Sequence, residues 1–421
     1  MKEAALLALK DISVGSKTSM NQKKCLIVTT HYRPLIGGAL TVYDALASHA
    51  QGAVSVLTAS TDYTTGAEAL GWQRFDADCG YKITRVTEMR QGYLPDGTSI
   101  WGRIKNRMKA ANLQKKILAA TLRCIEENTI DVVCIGAQDA LGWLVKPLKK
   151  QTKCKVIIYV HGEEVSQAAH SVNAERARRG VLNSADGLIA VSSFTADLLH
   201  QKYGVPKARI ALQNNGVDLN KYSGSFADEA RQNNNLPEGP FVFACGRLVE
   251  RKGFDRLLEA WPSVVAAVPG ATLVIGGRGP LEAVLKQRIA ELNIGDSTQM
   301  PGWMREETLA AAYGLADVFT MSNRTMPDGD TEGFGLVFLE AAAMGTPSVG
   351  GRAGGAVDAI IDGKTGILVN GNDETEISGA LIKLLSDDHM RKTMAKQAQS
   401  HARSQGWQSK TEEFLAYLTR L

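Results

Sequence analysis

Long apolar runs are missing from this 421-residue chain. No stretch approaches the roughly 20 apolar residues of a bilayer-spanning helix, so no spanning segment is expected. Cysteine is sparse and dispersed: Cys25, Cys79, Cys124, Cys134, Cys154 and Cys245 include no CxxC pair. That pattern offers no zinc site. Cys25, Cys134 and Cys245, set within apolar runs, read as buried free thiols of a reducing cytoplasm. The seven histidines form no HExxH and no ligand-spaced group, so no metal is expected either. Charge of one sign is not in large excess, the net being +4.

The positive charge is nevertheless uneven. Arg103, Lys105, Arg107, Lys109, Lys115 and Lys116 follow one another without an intervening acid. Two further clusters hold Lys146, Lys149, Lys150, Lys153 and Lys155, and Arg176, Arg178 and Arg179. They read either as solvated helix faces or as a patch for a phosphorylated acceptor or an anionic membrane surface. Nucleic acid is not expected, because no aromatic interleaving or nucleic-acid module accompanies the charge.

A hydrophobic content of 44% and a charged content of 22% are those of a globular chain long enough for two cores. Val- and Ile-rich strand candidates at 25–30, 54–58, 130–135, 155–160 and 187–192 alternate with helix-length segments. After Asn215-Gly216-Val217-Asp218 the polar stretch 221–240 reads as a linker. The alternation then restarts with strands at 241–245, 272–276, 317–321 and 347–350, and ends in helices at 374–385 and 388–421. The spacing predicts an α/β protein with two doubly wound parallel sheets, and ligand in a cleft at the strands' carboxyl ends. Residues 1–24 read as a flexible leader, 25–217 as an N-terminal domain and 218–402 as a C-terminal one. Residues 403–421 read as a helix crossing back onto the first domain.

Several glycine-rich turns follow strands, where backbone N–H groups can face an anion. They are Gly37-Gly38, Gly246-Arg247-Leu248 with Lys252-Gly253, and Gly276-Gly277-Arg278-Gly279-Pro280. Arg247 and Lys252 place two cations at one sheet edge, as a diphosphate requires. The Gly276 turn carries neither GK[ST] nor GxGxxG, which disfavours nicotinamide binding. The segment 328–356, DGDTEGFGLVFLEAAAMGTPSVGGRAGGA, sets Glu332 in a glycine-bracketed loop and Glu340 in an apolar run. A carboxylate in such a run is costly unless it is paired or serves a polar ligand, and a structural salt bridge or paired sugar hydroxyls would each satisfy it. His161, at the end of the 155–160 strand, reads as a cleft residue or as a hydrogen-bonded core histidine. The polar stretch 323–330 reads as a mobile flap or an exposed turn.

In number and order these pieces resemble glycosyltransferase family 4, the retaining family of the GT-B fold. The resemblance runs from about Cys25 onward. It rests on Gly37-Gly38, His161-Gly162, Ser192-Ser193, Asn215-Gly216-Val217-Asp218, Gly246-Arg247-Leu248 with Lys252-Gly253, Gly276-Gly277-Arg278-Gly279-Pro280 and the Glu332-to-Glu340 signature followed by Gly345-Thr346-Pro347. It implies two Rossmann-like domains facing across a cleft. A nucleotide-sugar would serve as co-substrate, with no other cofactor and no metal strictly required. Arg247 and Lys252 would bind the diphosphate, and Glu340 the ribose. Glu332 with Phe334, Gly335 and Leu336 would hold the sugar and phosphates. Gly302 and Met304 would line the base, and Gly246 and Gly277 the donor turns. Gly38 would close the phosphate side, and His161 would lie over the sugar.

The style of the motif favours a hexose, mannose from GDP-mannose, passed to a hydroxyl acceptor that is phosphorylated, lipid-linked or an oligosaccharide. That would suit a cytoplasmic enzyme, peripheral at the inner face of the cell membrane. The alternatives are a UDP-sugar-dependent transferase (glucose, GlcNAc or related) with a small soluble acceptor, and a GT-B-fold sugar-nucleotide epimerase. A binding protein of periplasmic type would need a secretory signal, and a dehydrogenase a dinucleotide fingerprint; neither is expected here.

Overall fold

In the computed structural model, the structure describes residues 22–90, 100–224, 226 and 229–421. The 1–24 segment read as a leader therefore lies almost wholly outside the described residues. Two parallel sheets organise the chain. The first has seven strands: β1 (Cys25–Val28), β2 (Val54–Ala59), β3 (Ile83–Val86), β4 (Val132–Ile135), β5 (Lys155–Val160), β6 (Gly187–Ala190) and β7 (Ile210–Leu212). Their order is β3-β2-β1-β4-β5-β6-β7. The second has six: β8 (Phe241–Cys245), β9 (Thr272–Gly276), β10 (Thr298–Gly302), β11 (Val318–Met321), β12 (Ser348–Gly351) and β13 (Gly366–Val369). They run β10-β9-β8-β11-β12-β13.

Both sheets reverse direction of winding beside their first strand, between β1 and β4 and between β8 and β11. Such switch points leave a crevice at the carboxyl edge, since the flanking helices depart to opposite faces.

The strands are apolar on both sides because helices cover both faces. In β8, Phe241, Phe243 and Cys245 point into one core and Val242 and Ala244 into another. Cys25 and Ile27 of β1 join the first of these cores, while Leu26 and Val28 face a third. One core is therefore shared by the facing halves of the molecule, and Tyr43, Tyr159, Tyr313, Trp407 and Phe414 all contribute to it.

The last helix, Trp407–Arg420, leaves the C-terminal part and packs against the helix Gly38–His49. The backbone N–H of Val217 donates to Gln405 O at 2.9 Å, and the Gln213 amide donates to Lys410 O at 3.0 Å. A side chain at Gly216 would meet the Trp407 ring at 2.8 Å, so the crossing is close-packed.

Three sequence expectations need correction. The 221–240 stretch is not a plain linker: it contains the helix Glu229–Asn233 and buries Tyr222 and Leu236. The 323–330 stretch is not an exposed flap over its first half. Asn323 is buried, and Arg324 pairs with Asp255 at 2.8 and 2.9 Å. The tail is two helices, Asp388–Ser404 and Trp407–Arg420, broken at Gln405-Gly406.

Candidate active site

The two carboxyl edges face each other across a cleft of about 890 Å³. Of the residues singled out in the sequence, Gly38, His161, Gly246, Lys252, Glu332, Phe334, Gly335, Leu336 and Glu340 line it. Arg247, Gly277, Gly302 and Met304 do not. Arg247 follows β8 and is exposed. Gly277, Gly302 and Met304 form the adjoining turns, where Gly277 N–H donates to Gly302 O at 2.7 Å. Glycine is required at 277: its φ is +130° and a Cβ there would stand 1.9 Å from the Gly246 carbonyl oxygen.

Five charged residues form the centre of the site. Lys252, ending the short turn after β8, holds Glu332 at 2.5 Å. Arg251, the next residue back, reaches the same carboxylate at 2.7 Å and extends to Asp330 at 3.4 Å and to Glu163. Glu163 follows β5 in the first half of the chain, so Arg251 ties the two edges together. Burial alone would push the Glu332 carboxyl up, but Lys252 and Arg251 overcome it and hold it at about 2. Glu163 shifts the other way. Burial raises it, and the neighbouring Glu332 and Asp330 charges add to that, against the opposing pull of Arg251.

Glu340 projects from the helix Leu336–Ala343. Its carboxylate accepts from the Tyr313 hydroxyl at 2.8 Å. Burial raises its pKa, with Tyr313, Lys221 and Tyr222 partly offsetting. A buried carboxylate with so few fixed partners can still accept from a ligand hydroxyl.

Opposite stands His161, at the end of β5. Its ring stacks on Tyr159 at 5.1 Å and meets Tyr43 edge-on at 5.2 Å. The Tyr43 hydroxyl lies 2.6 Å from Nε2 of His161 and donates to the Gly136 carbonyl at 2.7 Å. A hydroxyl has one proton, so Nε2 must carry its own and donate to Tyr43, leaving Nδ1 as an acceptor. Burial lowers the ring's pKa to about 4, so the imidazole is neutral near pH 7. The loops from the two halves touch here. A Cβ at Gly333 would lie 1.9 Å from the His161 carbonyl oxygen, so no larger residue fits without separating them.

Sequence reasoning overlooked Tyr43, Arg251 and the role of Glu163 as a bridge. Arg251 had a visible signal, standing beside Lys252 in a turn that already carried Arg247. Tyr43 had none, since it reads as one more apolar position in the helix Gly38–His49. Among the described residues no group of three or more His, Cys, Asp or Glu could hold a metal ion, and no helix is long and apolar enough to cross a membrane.

Two parallel Rossmann-like sheets facing across such a cleft define the GT-B fold. Residues 36–221 match the family model "Glycosyltransferase Family 4", and residues 226–401 match "Glycosyl transferases group 1". A GDP-mannose-dependent alpha-(1-6)-phosphatidylinositol monomannoside mannosyltransferase of Mycolicibacterium smegmatis is 31% identical over 393 residues, 92% of this chain and 95% of that one. A monoacylated-substrate counterpart from Corynebacterium glutamicum is 29% identical over 389 residues, 91% of this chain and 94% of that one. Among solved structures, Anabaena HepE in complex with UDP and glucose superposes with a TM-score of 0.74 at 20% identity. It covers 95% of this chain and all of that one. The chain belongs to the glycosyltransferases that join a Family 4 N-terminal part to a group 1 C-terminal part.

Proposed function

We propose that this enzyme transfers mannose from GDP-mannose, with retention of anomeric configuration, to a hydroxyl of a phosphorylated or lipid-linked acceptor. The observation that carries this reading is the convergence of Lys252, Glu332 and Glu340 on one wall of the cleft with His161 on the other. A GDP-mannose donor is supported by the two near-full-length relatives, both named for that donor.

In this reading Lys252 turns from Glu332 to the diphosphate, and Arg247 swings in from its exposed position to join it. Fixed positive charge at the leaving oxygens is the main electrostatic contribution to phosphate departure. Glu332, with the backbone of Phe334, Gly335 and Leu336, holds the sugar and phosphates, and Glu340 holds the ribose. Gly302 and Met304 border the base, Gly246 and Gly277 form the donor turns, and Gly38 closes the phosphate side. The neutral His161 offers Nδ1 to a sugar hydroxyl. The acceptor occupies the N-terminal half of the cleft and attacks on the face the phosphate leaves. Residues 25–217 would then be the acceptor domain, 218–402 the donor domain and 403–421 the strap between them.

A peripheral membrane position fits the helix Ile100–Asn128. Trp101, Ile104 and Met108 lie at i, i+3 and i+7 and are 80%, 44% and 68% exposed. Arg103, Lys105, Arg107 and Lys109 stand among them, the pattern of an interfacial helix on anionic lipid.

The second reading is a UDP-sugar donor with a small soluble acceptor, favoured by the likeness to HepE, whose complexes hold UDP, glucose and UDP-glucose. A calorimetric and thermal-shift screen against GDP, UDP, ADP and their sugar conjugates decides between them. Selective stabilisation by GDP and GDP-mannose supports the first reading. Selective stabilisation by UDP replaces it with the second.

A further inference from the structure

The cleft has a second charged place, apart from the donor wall. Among the described residues only two cations, Lys252 and Arg90, line the cleft. Lys252 is already held by Glu332 at 2.5 Å. Arg90 has no carboxylate within ion-pair distance among the described residues, and no hydrogen bond of its own. Its guanidinium lies over the Tyr63 ring, 4.6 Å from the centroid. Tyr63 is in turn stacked with His31 at 4.0 Å, and His31 is tied to Asp62 at 3.2 Å. Arg90 follows β3, Tyr63 follows β2 and His31 follows β1. Three successive strand ends thus build a layered platform under one half-buried, uncompensated cation. A guanidinium fixed on an aromatic face keeps its in-plane N–H donors free for a bidentate anion.

A second observation concerns neutral groups. Gln138, 5% exposed, lines the same cleft, and its amide oxygen has no hydrogen-bond partner. Asn215, also 5% exposed and lining the cleft, has the same unmet oxygen. Buried amides without partners are costly, and a ligand bearing several hydroxyls would satisfy them.

We propose that Arg90 on its Tyr63 platform is the anchor for a phosphate of the acceptor, and that Gln138 and Asn215 receive that acceptor's hydroxyls. The acceptor class is therefore a phosphorylated polyol, either a free phosphate monoester or a lipid phosphodiester headgroup. This assignment rests on the transferase reading, with the acceptor on the N-terminal side of the cleft.

The test uses the full chain with GDP-mannose and three acceptor probes: inositol 1-phosphate, phosphatidylinositol in vesicles, and uncharged inositol. Arg90→Gln raises the KM for the phosphorylated probe that is used about 10- to 100-fold, the loss expected for a bidentate charged contact. It changes kcat less than about threefold and leaves the KM for GDP-mannose unchanged. Arg90→Lys, which keeps the charge and loses the fork, recovers part of the effect. Use of inositol 1-phosphate identifies a free monoester as the source, and use of phosphatidylinositol alone identifies a lipid headgroup. An unchanged acceptor KM in Arg90→Gln, or inositol used as well as its phosphate, overturns the assignment. Failure of both phosphorylated probes to be used also overturns it where GDP still stabilises the protein. GDP and UDP both failing to bind the wild type would instead bring down the transferase reading beneath it.

Discussion

Tyr43→Phe isolates one atom whose two contacts are both short and both inside the protein. The hydroxyl donates to Gly136 O at 2.7 Å and lies 2.6 Å from His161 Nε2. Removing it leaves a half-buried carbonyl and a half-buried ring N–H without this partner, each hydrogen bond contributing about 0.5–1.5 kcal/mol. The phenyl ring still fills the space and keeps its edge-on contact with Tyr159 at 5.7 Å, so no cavity offsets or adds to that figure. We expect a stability loss of about 1–3 kcal/mol, read as a lower urea midpoint at unchanged slope. The imidazole also loses the contact that fixes its proton on Nε2, and a mixture of tautomers should appear in the ¹⁵N spectrum. Turnover should fall about 10- to 100-fold if Nδ1 must accept from the sugar. A variant within about 0.5 kcal/mol of wild type, with one unchanged tautomer and full turnover, refutes the account of His161.

Lys252→Ala should lower kcat on the order of 100-fold, the scale of losing one charge stabilising the leaving group. Arg247→Ala should do likewise although Arg247 stands outside the cleft here; near-native turnover in either variant removes that residue from the donor site. For pH, the sign follows from Glu332, whose folded pKa of about 2 lies below the ordinary 4.5. Its contribution, roughly 3 kcal/mol, is present above about pH 4.5 and lost as pH falls towards 2. Glu332→Gln should flatten that limb in acid unfolding followed by circular dichroism, and an unchanged limb counts against the pairing.

The inner strands were legible because residues buried on both faces leave no polar alternation. Thus β5 (Lys155–Val160), β8 (Phe241–Cys245) and β9 (Thr272–Gly276) coincide with their apolar runs. The edges were not. β3 reads ITRV and is only half-buried, β7 exposes Leu212, and β10 reads TQMPG with a proline and a glycine. β3 and β10 carry a charge or a proline that an edge tolerates. The edges β7 (IAL) and β13 (GILV) are apolar but only three and four residues long, too short to stand out from a loop. The site divides on a different line. Glycine turns and isolated charges mark the sheet edges, and Lys252, Glu332 and His161 stood out on that ground. Their partners in space did not, because nothing local records that a turn after β8 will meet a loop after β5. Arg251 and Glu163 lie 88 positions apart and meet only once the two sheets face each other.

That meeting explains why one carboxylate needs two cations. If Lys252 moves to the diphosphate, Glu332 would be left buried beside a developing phosphate charge, an arrangement costing several kcal/mol. Arg251, already on Glu332 and Glu163, would prevent it by staying there while Lys252 changes partner, so that the exchange strands no charge. Arg251 need not touch the donor to strengthen its binding. Arg251→Gln should therefore weaken GDP binding on calorimetry by about tenfold or more, while Lys252 remains present and the fold intact. It should also release the only strong ionic tie described between the two cleft edges, making the chain between them more accessible to limited proteolysis. A variant that binds GDP with wild-type affinity would show that Lys252 alone meets the donor's charge, and that the second cation serves only to join the two halves.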